Sequence, residues 1–590
     1  MRLSGLCLLW CLAAMTDHAQ SSPNRTYHNP ILPGWHSDPS CIYVPDRETF
    51  FCVTSTFIAF PGLPLYASRD LQTWDLASNI FNRRSQIPAL ATTQGQQSGI
   101  YAPTLRYRNG TFYLIVSYLE PNQGLVFTST DPYSDAAWSD PLHFPVYGID
   151  PDIFWDDDGT AYVTSADNNM QHHYSLDLRT GEIGPVSYLW NGTGGAYPEG
   201  PHLYRKDGYY YLLLAEGGTE TNHAVTMARS RSRTGPWEPA PQNPVLTNRD
   251  TAAYFQTVGH ADLFQDGRGN WWAVALSTRS GPEWENYPMG RETVLTPVSW
   301  EEGQWPVFQR VEGVMRGPLP AQAKKTPGRE NNRKLINKEE EEHLTFPPGS
   351  EIPNHLVYWR FPDRSSFAVS PAGHPHTLRL TASRYGPSYD PSSVADPIAF
   401  IARRQTDTLF TFDVDAELDW RGVHGSIEAG ISLFLTQEQH VDLSVVEVSR
   451  STSHASRAVE LKIYGRGNYD GPLRNVTMDI PRDWEGKNKS KISLRVQAVD
   501  DSTYVFSAAL ASRPGERVQV GTVDSRVLSG DTGRFTGTLV GVYASRRGFE
   551  EENTPDRRAG HEALGDFAYF SNWRYKGQGQ KIDHDLVVGS

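Results

Sequence analysis

The hydrophobic positions in the first three hundred residues follow one pattern that occurs five times. Each copy has a small or polar lead-in, an apolar run, a turn rich in Asp, Asn or Gly, and a second apolar run. The copies are HSDPSCIYVPDRETFFCVTST from His36, IYAPTLRYRNGTFYLIVSY from Ile100, GIDPDIFWDDDGTAYVTSA from Gly148, YPEGPHLYRKDGYYYLLLAE from Tyr197 and VGHADLFQDGRGNWWAVALS from Val258. The alternation and the Asp-Gly and Asn-Gly turns predict β-hairpins and argue against a helical solenoid.

The spacing of the copies predicts the architecture of this region. The copies begin roughly every 50–65 residues, which fits propeller blades of about four strands each. We therefore expect a five-bladed β-propeller in which the innermost strand of each blade lines a central channel. The position near the start of each first strand should face one shared pocket. This position is occupied, in order, by Asp38, Ala102, Asp150, Glu199 and His260.

The pattern changes near residue 320. The stretch AQAKKTPGRENNRKLINKEEEEH is charged and has almost no apolar periodicity, so we interpret it as a linker. Strand-like runs resume after Leu356 without the repeated phrase, which predicts two packed antiparallel sheets in a jelly-roll sandwich. The chain is therefore expected to be all-β, with a leader over 1–20, a propeller over 27–320, a charged linker over 321–350 and a β-sandwich over 351–577.

Composition narrows the choice of partner and compartment. The chain has 590 residues and a net charge of −14, with acidic residues spread along its length. This charge disfavours nucleic acid and anionic membranes as partners and suits an enzyme that acts on a neutral polymer. Arg2 and the apolar run from Leu6 to Ala14, which is too short to span a bilayer, predict a secretory signal peptide and an extracellular location.

Two cysteines remain after the leader, Cys41 and Cys52. They lie opposite one another if the first hairpin turns at Asp46-Arg47, and an oxidising compartment would then favour a disulfide. Two buried free thiols are the alternative that the sequence leaves open. Sequons for N-glycosylation, which fit a secreted glycoprotein, occur at Asn24, Asn109, Asn191, Asn475 and Asn488.

Seven motifs resemble, in their order and spacing, those of the family 43 glycoside hydrolases. They are HSDPS, IYAPTLRY, GIDPDIFWDDDG, EGPHLY, AEGGT with NHAVTMARS, GHADL and MGRETVLTPVSW. The second half, with FIARRQT and RFTGTLVGVY, resembles the concanavalin-like β-sandwich of the β-xylosidase-like members. The resemblance implies a five-bladed propeller, catalysis without a cofactor, and a plant cell-wall polysaccharide or oligosaccharide as the substrate. It also implies inverting β-xylosidase or α-L-arabinofuranosidase activity.

The resemblance further assigns roles by position. Asp38 matches the general base, Glu199 the general acid, and Asp150 the third carboxylate, which tunes and orients the acid. Arg291 matches a substrate-binding arginine. His260 matches an axial histidine near a structural ion, calcium or sodium, or a water in the channel.

The proposed chemistry explains why these residue types are needed. Inverting hydrolysis requires one carboxylic acid to protonate the leaving oxygen and one carboxylate to activate water on the opposite face of the sugar. Structural alternatives exist, since Asp before Pro commonly opens a turn and His260 could be a hydrogen-bonded core histidine. The five-fold register favours the catalytic interpretation for Asp38 and Asp150, because turn residues need not converge on one axis.

Two positions depart from the family pattern. Asp152 stands where a small residue is usual, and because alternate residues of a strand share a face, it could share or perturb the role of Asp150. The loop STFIAFPGLP has Ile58 and Ala59 where an aromatic Trp is usual, which is expected to open the sugar pocket.

An open pocket favours α-L-arabinofuranosidase activity on arabinoxylan, with β-xylosidase activity as the next choice. Trp35, Phe57 and Tyr101 are candidate substrate-binding residues that stack on the sugar or form a wall. A propeller that only binds carbohydrate is the alternative from another functional class. The separate acid and base argue against that alternative, because binding alone needs neither. We therefore expect a secreted, exo-acting, inverting glycoside hydrolase.

Overall fold

The structure is a computed structural model that describes residues 24–320, 341–388, 397–419, 427–451, 454–484, 491–546 and 566–589. The predicted leader, Asn488 and most of the predicted linker lie outside these ranges. In the described ranges the regular elements are β-strands and short 3-10 helices, and none of these helices has the length and apolar character to cross a membrane. The 3-10 helices are Pro45–Arg47, Pro88–Thr92, Asp135–Ala137, Arg364–Ser366, Arg482–Trp484, Pro514–Glu516, Ser525–Leu528 and Asp531–Gly533. The predicted all-β class is confirmed.

Each sequence repeat supplies the first two strands of one four-stranded antiparallel sheet, and the described chain contains five such sheets. The first comprises Ser40–Val44, Thr49–Val53, Gly62–Ser68 and Asp75–Phe81, and the second Thr104–Arg108, Thr111–Tyr118, Gln123–Ser129 and Leu142–Pro145. The third comprises Ile149–Trp155, Ala161–Asp167, Met170–Ser175 and Ser187–Tyr188. The fourth comprises Glu199–Lys206, Tyr209–Glu216, Ala224–Ser230 and Glu238–Pro239, and the fifth Phe255–Gln265, Trp271–Arg279, Glu292–Ser299 and Val307–Phe308.

The first strands of these sheets contact one another in cyclic order, and the fifth contacts the first, so the sheets close a ring. A separate strand pair, Arg25–His28 with Val314–Gly317, brings the two ends of this region together. The hydroxyl of Tyr27 donates a 2.9 Å hydrogen bond to the carbonyl oxygen of Leu295 in the fifth sheet. We interpret each sheet as one blade of a propeller, with the first strands lining its channel.

The rest of the described chain forms two packed sheets, which confirms the predicted sandwich. In order across the first sheet, the strands are Phe367–Val369, Leu378–Thr381, Phe567–Asp583, Leu409–Asp419, Ile492–Ala498, Thr503–Leu510 and Val518–Asp524, with Glu342–Leu344 and Leu586–Val588 also paired to Phe567–Asp583. Across the second they are Phe400–Arg404, Leu539–Arg546, Ile427–Thr436, Gln439–Ser451, His454–Tyr464 and Val476–Asp479. Facing apolar side chains such as Val414 and Leu433 have at most 1% exposure.

The ring and the sandwich are in direct contact. The short strand Ala59–Phe60, which follows the second strand of the ring, pairs antiparallel with Tyr358–Trp359 of the sandwich. The indole N–H of Trp359 donates a 3.0 Å hydrogen bond to the side-chain oxygen of Gln96. One apolar core runs from the first two sheets into the sandwich. This contact brings segments of the second half of the chain close to the channel mouth.

Candidate active site

Four of the five channel-lining strands have a residue with left-handed backbone conformation, either within the strand or just before it. These residues and their φ angles are Asp38 (51°), Asp150 (56°), Gly200 (58°) and His260 (49°). The strand register then shifts at a β-bulge in the third, fourth and fifth sheets. Non-glycine residues seldom adopt this conformation, and bulges re-aim side chains next to functional sites. The local backbone therefore breaks the normal strand alternation where the candidate residues lie.

The fourth repeat differs from the sequence-based register by one residue. The left-handed position held by Asp38 and Asp150 belongs to Gly200 in this repeat, and Glu199 lies one residue earlier. The prediction that Glu199 is equivalent to Asp38 is therefore wrong by one position. The sequence carries a signal for the correct register, because proline follows Asp38, Asp150 and Gly200 alike.

Gly200 makes room for a neighbouring imidazole. A Cβ atom at this position would approach the ring of His260 to 3.1 Å, which is closer than real Cβ contacts usually come. The positive φ of 58° also favours glycine here. In the fourth repeat, therefore, the shared position is occupied by glycine and leaves space for His260. The carboxyl group of this repeat belongs to Glu199, the residue before the glycine.

Asp38 is held in its ionised form. Its Oδ2 accepts a 2.6 Å hydrogen bond from Ser55, and its Oδ1 lies 3.2 Å from Nη1 of Arg291 and 3.9 Å from Nδ1 of His260. Burial acts to raise the pKa of Asp38, but the Arg291 charge and the Ser55 hydrogen bond outweigh it, so the pKa lies below its ordinary value. Burial lowers the pKa of His260 to about 4, so this imidazole is neutral at neutral pH.

Glu199 and Asp150 hold their protons more strongly than Asp38 does. Burial, followed by the negative charge of Asp38, raises the pKa of Glu199 to about 7 against the opposing effect of Arg291. Burial, followed by the charges of Glu199 and Asp38, raises the pKa of Asp150 well above its ordinary value. The Oδ2 of Asp150 accepts a 3.1 Å hydrogen bond from the backbone N–H of Gly200. The site therefore contains one ionised carboxylate beside two carboxyl groups that favour the protonated form.

Arg291 is fixed by contacts from both halves of the chain. Its Nη1 donates a 2.9 Å hydrogen bond to the hydroxyl of Thr219, and its Nε donates one of 3.3 Å to the carbonyl oxygen of Phe535. The guanidinium carbon lies 4.9 Å from the ring centroid of Phe535. Phe535 belongs to the sandwich, so the second half of the chain contributes directly to the site around Arg291.

The sandwich segment around Phe535 is held against the ring by further polar contacts. The backbone N–H of Phe535 donates a 2.7 Å hydrogen bond to Oε1 of Gln97, and Arg534 forms a 2.9 Å ion pair with Glu220. Neither Phe535 nor Thr219 was among the site residues predicted from the sequence. For Phe535 the sequence pattern offers no signal, because its role depends on how the sandwich docks on the ring.

Of the three aromatic candidates, Tyr101 alone is more than marginally exposed. The pKa of Tyr101 is raised to about 12, by burial first and then by the carboxyl groups of Asp150, Asp38 and Glu199, with Arg291 opposing. Tyr101 therefore lies among the clustered carboxyls. Its ring meets that of Phe57 edge to face at 5.2 Å.

Phe57 and Trp35 lie behind this cluster. Phe57 is 1% exposed and stacks on Trp35 at 6.0 Å, and the guanidinium of Arg291 lies 5.9 Å from the Phe57 ring centroid. Trp35 is 0% exposed and packs against Trp359 of the sandwich at 6.2 Å. The prediction that Trp35 and Phe57 contact the sugar is wrong, because packing leaves neither ring a free face. Phe57 supports Arg291 from behind.

The loop with Ile58 and Ala59 also faces the sandwich. Both residues are 0% exposed, and the backbone N–H of Arg360 donates a 3.0 Å hydrogen bond to the carbonyl oxygen of Ile58. Ala59 pairs with Trp359 in the short interdomain sheet. The expectation that these small residues open the pocket is therefore wrong, since sandwich residues occupy the adjacent space.

A second buried polar layer lies two residues further along the channel-lining strands. Arg106 reaches across it, with Nη2 2.8 Å from Asp152 and Nη1 2.8 Å from Asp262. Its Nη2 also lies 3.2 Å from Nδ1 of His202. Burial raises the pKa of Asp262, but Arg106 and then His202 outweigh it and bring it to about 2. Both carboxylates in this layer are thus ionised and paired.

Asp152 belongs to this layer. The left-handed residue Asp150 and the bulge after it break the alternation that would place Asp150 and Asp152 on one face. Burial acts to raise the pKa of Asp152, but Arg106 and His202 outweigh it, so the pKa lies below its ordinary value, the opposite of the shift at Asp150. The expectation that Asp152 shares the tuning role of Asp150 is therefore not supported.

The channel residues do not fit the structural ion that the family resemblance implied near His260. Arg106 already neutralises Asp152 and Asp262, and Arg291 does the same for Asp38. Calcium takes six to eight oxygen ligands, and the described residues contain no group of three or more side chains placed to hold a metal. A cation beside His260 would also face the Arg291 guanidinium, which lies 3.2 Å from Asp38. Arg106 supplies the positive charge that an ion would otherwise provide.

The remaining sequence candidates lie away from this cluster. Cys41 and Cys52 are directly opposed in the first sheet and form a disulfide with a Cα–Cα distance of 4.2 Å. The hairpin between them turns through the 3-10 helix Pro45–Arg47. The four sequon asparagines within the described ranges are exposed, namely Asn24, Asn109, Asn191 and Asn475.

Comparison with known proteins places the site in a family. Residues 27–306 match the model for glycosyl hydrolases family 43, and residues 346–556 match that for the beta xylosidase C-terminal concanavalin A-like domain. A non-reducing end alpha-L-arabinofuranosidase of Bacteroides ovatus is 32% identical over 91% of this chain and 94% of its own. A xylosidase/arabinosidase of Humicola insolens is 30% identical over 88% and 94% respectively.

Solved structures agree with this assignment. The xylan beta-1,4-xylosidase of Bacillus halodurans has a TM-score of 0.75 at 27% identity, covering 93% of this chain and 100% of its own. A GH43 protein of Bacillus licheniformis gives 0.76 at 26% identity, covering 94% and 100%. The chain therefore belongs to glycosyl hydrolase family 43, and it is a glycosyl hydrolase with a propeller-type region and a concanavalin A-like domain.

Proposed function

We propose that this glycosyl hydrolase is an exo-acting, inverting enzyme in which Asp38 is the general base and Glu199 the general acid. The observation that carries the assignment is the opposite pKa shift of the two groups: Asp38 is held below its ordinary value, and Glu199 is raised to about 7. A base must be ionised and an acid protonated at the working pH, and two carboxyls in different environments meet both needs.

In the proposed reaction, Asp38 takes a proton from a water molecule while the water oxygen bonds to the anomeric carbon. The bond between that carbon and the leaving oxygen breaks, and Glu199 transfers its proton to the leaving oxygen. Because water attacks from the face opposite the leaving group, the configuration at the anomeric carbon inverts. Asp38 ends protonated and Glu199 ionised, and proton exchange with solvent restores both groups.

Two neighbours support these roles. The charge of Glu199, after burial, raises the pKa of Asp150 well above its ordinary value, so Asp150 stays protonated over the pH range in which Glu199 loses its proton. Arg291 keeps Asp38 ionised and holds a planar donor group at the site, suited to hydrogen bonds with sugar hydroxyls. We assign Arg291 and Tyr101 to substrate binding, and Asp150, which accepts the hydrogen bond from the backbone N–H of Gly200, to orienting the acid.

The proposed substrate is a terminal α-L-arabinofuranosyl residue on arabinoxylan or a xylo-oligosaccharide. The similarity over most of the chain to the non-reducing end arabinofuranosidase of Bacteroides ovatus supports the terminal arabinofuranosyl residue. A terminal β-D-xylosyl residue is the second candidate, and the similarity of both domains to the Bacillus halodurans xylosidase supports that one. The loop with Ile58 and Ala59 does not distinguish arabinofuranosyl from xylosyl substrates, because it is buried under the sandwich.

The test is sugar release from 4-nitrophenyl α-L-arabinofuranoside and β-D-xyloside, followed by arabinoxylan. Proton NMR of the first-formed sugar reports its configuration. We expect release of arabinose with inverted configuration. Retention would contradict the role of Asp38, and absence of release from both aryl substrates would favour a protein that only binds carbohydrate.

We also propose that the protein is a secreted glycoprotein acting on plant cell-wall polysaccharide outside the cell, without a cofactor in catalysis. The apolar leader, the Cys41–Cys52 disulfide and the exposed sequon asparagines support this location. Expression in a secreting host, with intact mass before and after reduction and glycosidase treatment, tests it. A secreted product whose two cysteines alkylate without reduction would contradict the disulfide.

A further inference from the structure

Three tyrosines stand out on the surface of the described chain. Aromatic side chains are mostly buried here, and the large exposed hydrophobic residues that are aromatic are Tyr147 (36%), Tyr188 (56%) and Tyr197 (67%). The first precedes the third sheet, the second lies on the last strand of that sheet, and the third precedes the fourth sheet. An exposed group of aromatic rings on one part of a surface marks a binding site more often than a single exposed residue does.

The chain places the backbone of Tyr197 close to the proposed acid and that of Tyr147 close to Asp150. Tyr197 precedes Glu199 by two residues, and Tyr147 precedes Asp150 by three. A chain spans at most about 3.6 Å per residue, so the Cα atoms in these two pairs are within about 7 and 11 Å of each other. Both tyrosines therefore lie at the end of the channel where the carboxyl cluster lies.

The ring of Tyr147 is held in a fixed orientation by its neighbours. It stacks on His172 at 4.9 Å with an interplanar angle of 2°, and its edge meets Tyr174 at 5.4 Å. Tyr188 packs against the other side of this group, with its ring 5.1 Å from that of His172 and its backbone paired to the same residue. Tyr147 and Tyr188 are thus parts of one packed cluster with outward surface.

Tyr197 is tied to the same strand. It has left-handed φ (49°), and the carbonyl oxygen of the next residue, Pro198, accepts a 2.8 Å hydrogen bond from the side chain of Gln171. Gln171 directly precedes His172. Gly218 lies beneath the ring, since a Cβ there would be 3.6 Å from Tyr197 Cδ2. The backbone before Glu199 is therefore anchored to the strand that carries His172, and Tyr197 projects from this anchored segment.

We propose that Tyr147, Tyr188 and Tyr197 form an acceptor platform that binds the neutral xylan backbone next to the bond being cleaved. This inference rests on the proposed function, because it names what lies on the leaving-group side of Glu199. Tyrosine offers an apolar ring for stacking on a sugar and a hydroxyl for its polar groups, and it loses little conformational entropy on binding. Continuity with the carboxyl cluster favours a saccharide over a second copy of the chain as the occupant.

The platform would distinguish substrates by the part that is not hydrolysed. A short aryl glycoside ends at its phenol and cannot reach all three rings, whereas a polymer can. Binding energy from such remote contacts is used at the reacting centre, so its loss lowers kcat/KM for the long substrate specifically. The protein would then prefer a side-chain or terminal sugar attached to a xylan chain over the same sugar on a small leaving group.

The experiment compares wild type with the triple variant Tyr147→Ala, Tyr188→Ala, Tyr197→Ala. kcat/KM is measured on arabinoxylan or a matched arabinoxylo-oligosaccharide and on the aryl glycoside that wild type hydrolyses. We expect the ratio of polymer to aryl kcat/KM to fall roughly tenfold or more, as loss of several aromatic contacts implies. The triple Tyr→Phe variant, which keeps the rings, should recover most of the ratio. Val518→Ala, at an exposed position on the sandwich, controls for surface substitution.

Several outcomes would overturn the platform. An equal loss on both substrates would point to a disturbance of Glu199, and an unchanged ratio would exclude backbone binding. Analytical ultracentrifugation of wild type and the triple Ala variant shows whether the surface joins two copies; dissociation of a dimer with an unchanged ratio would assign it to self-association. The proposed function fails separately, since it predicts aryl glycoside hydrolysis by wild type whatever the tyrosines do.

Discussion

The guanidinium of Arg291 lies 3.2 Å from the carboxylate of Asp38. Its charge lowers the pKa of Asp38 and, at Glu199, opposes the rise in pKa that burial and Asp38 cause. One side chain therefore influences both the proposed base and the proposed acid. The acidic limb of the pH profile reports ionisation of the base, and the alkaline limb reports loss of the proton from the acid. The charge of Arg291 thus influences the pH of both limbs.

Replacing Arg291 with Met should move both limbs of the kcat/KM profile to higher pH. The pKa values of Asp38 and Glu199 both rise when the positive charge is removed, so neither limb should move the other way. Activity should also fall by about 10²–10³-fold, the usual effect of losing one preorganised charged donor. The pH dependence of aryl glycoside hydrolysis measures both effects. Arg291→Lys keeps the charge and should leave the limbs nearer their wild-type positions; limbs unmoved in Arg291→Met would contradict the electrostatic role.

Replacing Asp150 with Asn should leave the alkaline limb close to its wild-type pH. Asp150 keeps its proton over the pH range in which Glu199 loses its own, so a neutral amide at position 150 carries the same charge there. The amide oxygen can still accept the hydrogen bond from the backbone N–H of Gly200, which limits structural disturbance. The same pH profile provides the measurement. A clear shift of the limb to lower pH would show that Asp150 is ionised and raises the pKa of Glu199, against this account.

The sequence predicted the fold class, the repeats, the sandwich and the convergence of carboxyl groups because these depend on local patterns. Alternating strands and Gly-containing turns are encoded within each repeat, and equivalent positions in a repeat meet around the channel. The Asp38 and Asp150 positions follow from this rule. The rule does not give the position of Glu199 correctly. In its repeat the equivalent position is Gly200, and the carboxyl group comes from the preceding residue.

What the sequence could not predict depends on contacts between distant segments. Phe535 reaches Arg291 through the docking of the sandwich on the ring, which no periodicity encodes. The same docking buries Trp35 and Ile58, which were assigned to the sugar pocket from their positions in the chain. The role of Asp152 stayed open because the polar pattern does not show the bulge that places it beside Arg106.

Arg106 should contribute strongly to stability, and a metal should not. Replacing it with Met leaves Asp152 and Asp262 buried without their partner, a change that commonly costs about 3–5 kcal/mol. Thermal unfolding should show a lower Tm for Arg106→Met, and addition of Asp152→Asn and Asp262→Asn should recover part of the loss. Treatment of wild type with a chelator should leave Tm unchanged. A large drop on chelation would contradict the assignment of Arg106 as the internal cation.

The pH dependence of stability should report the same pairing. The pKa of Asp262 is lowered to about 2 in the folded protein, and its unfolded value is about 3.9. Its contribution is therefore complete above that unfolded value and is lost as the pH falls towards about 2. Denaturant unfolding between these pH values should show a steeper loss for wild type than for Arg106→Met. Parallel curves for the two proteins would contradict the pairing.

The most direct test of the central claim, that Glu199 is the general acid and Asp38 the base, is the leaving-group dependence of Glu199→Ala. A proton donor matters most for a basic leaving oxygen and little for an acidic phenol that departs unaided. We predict that kcat/KM of the variant falls by about 10²–10⁴-fold on arabinoxylan or xylo-oligosaccharides, but remains close to wild type on a dinitrophenyl glycoside, with the alkaline limb lost. Equal losses on both substrates, with the alkaline limb retained, would contradict proton donation by Glu199.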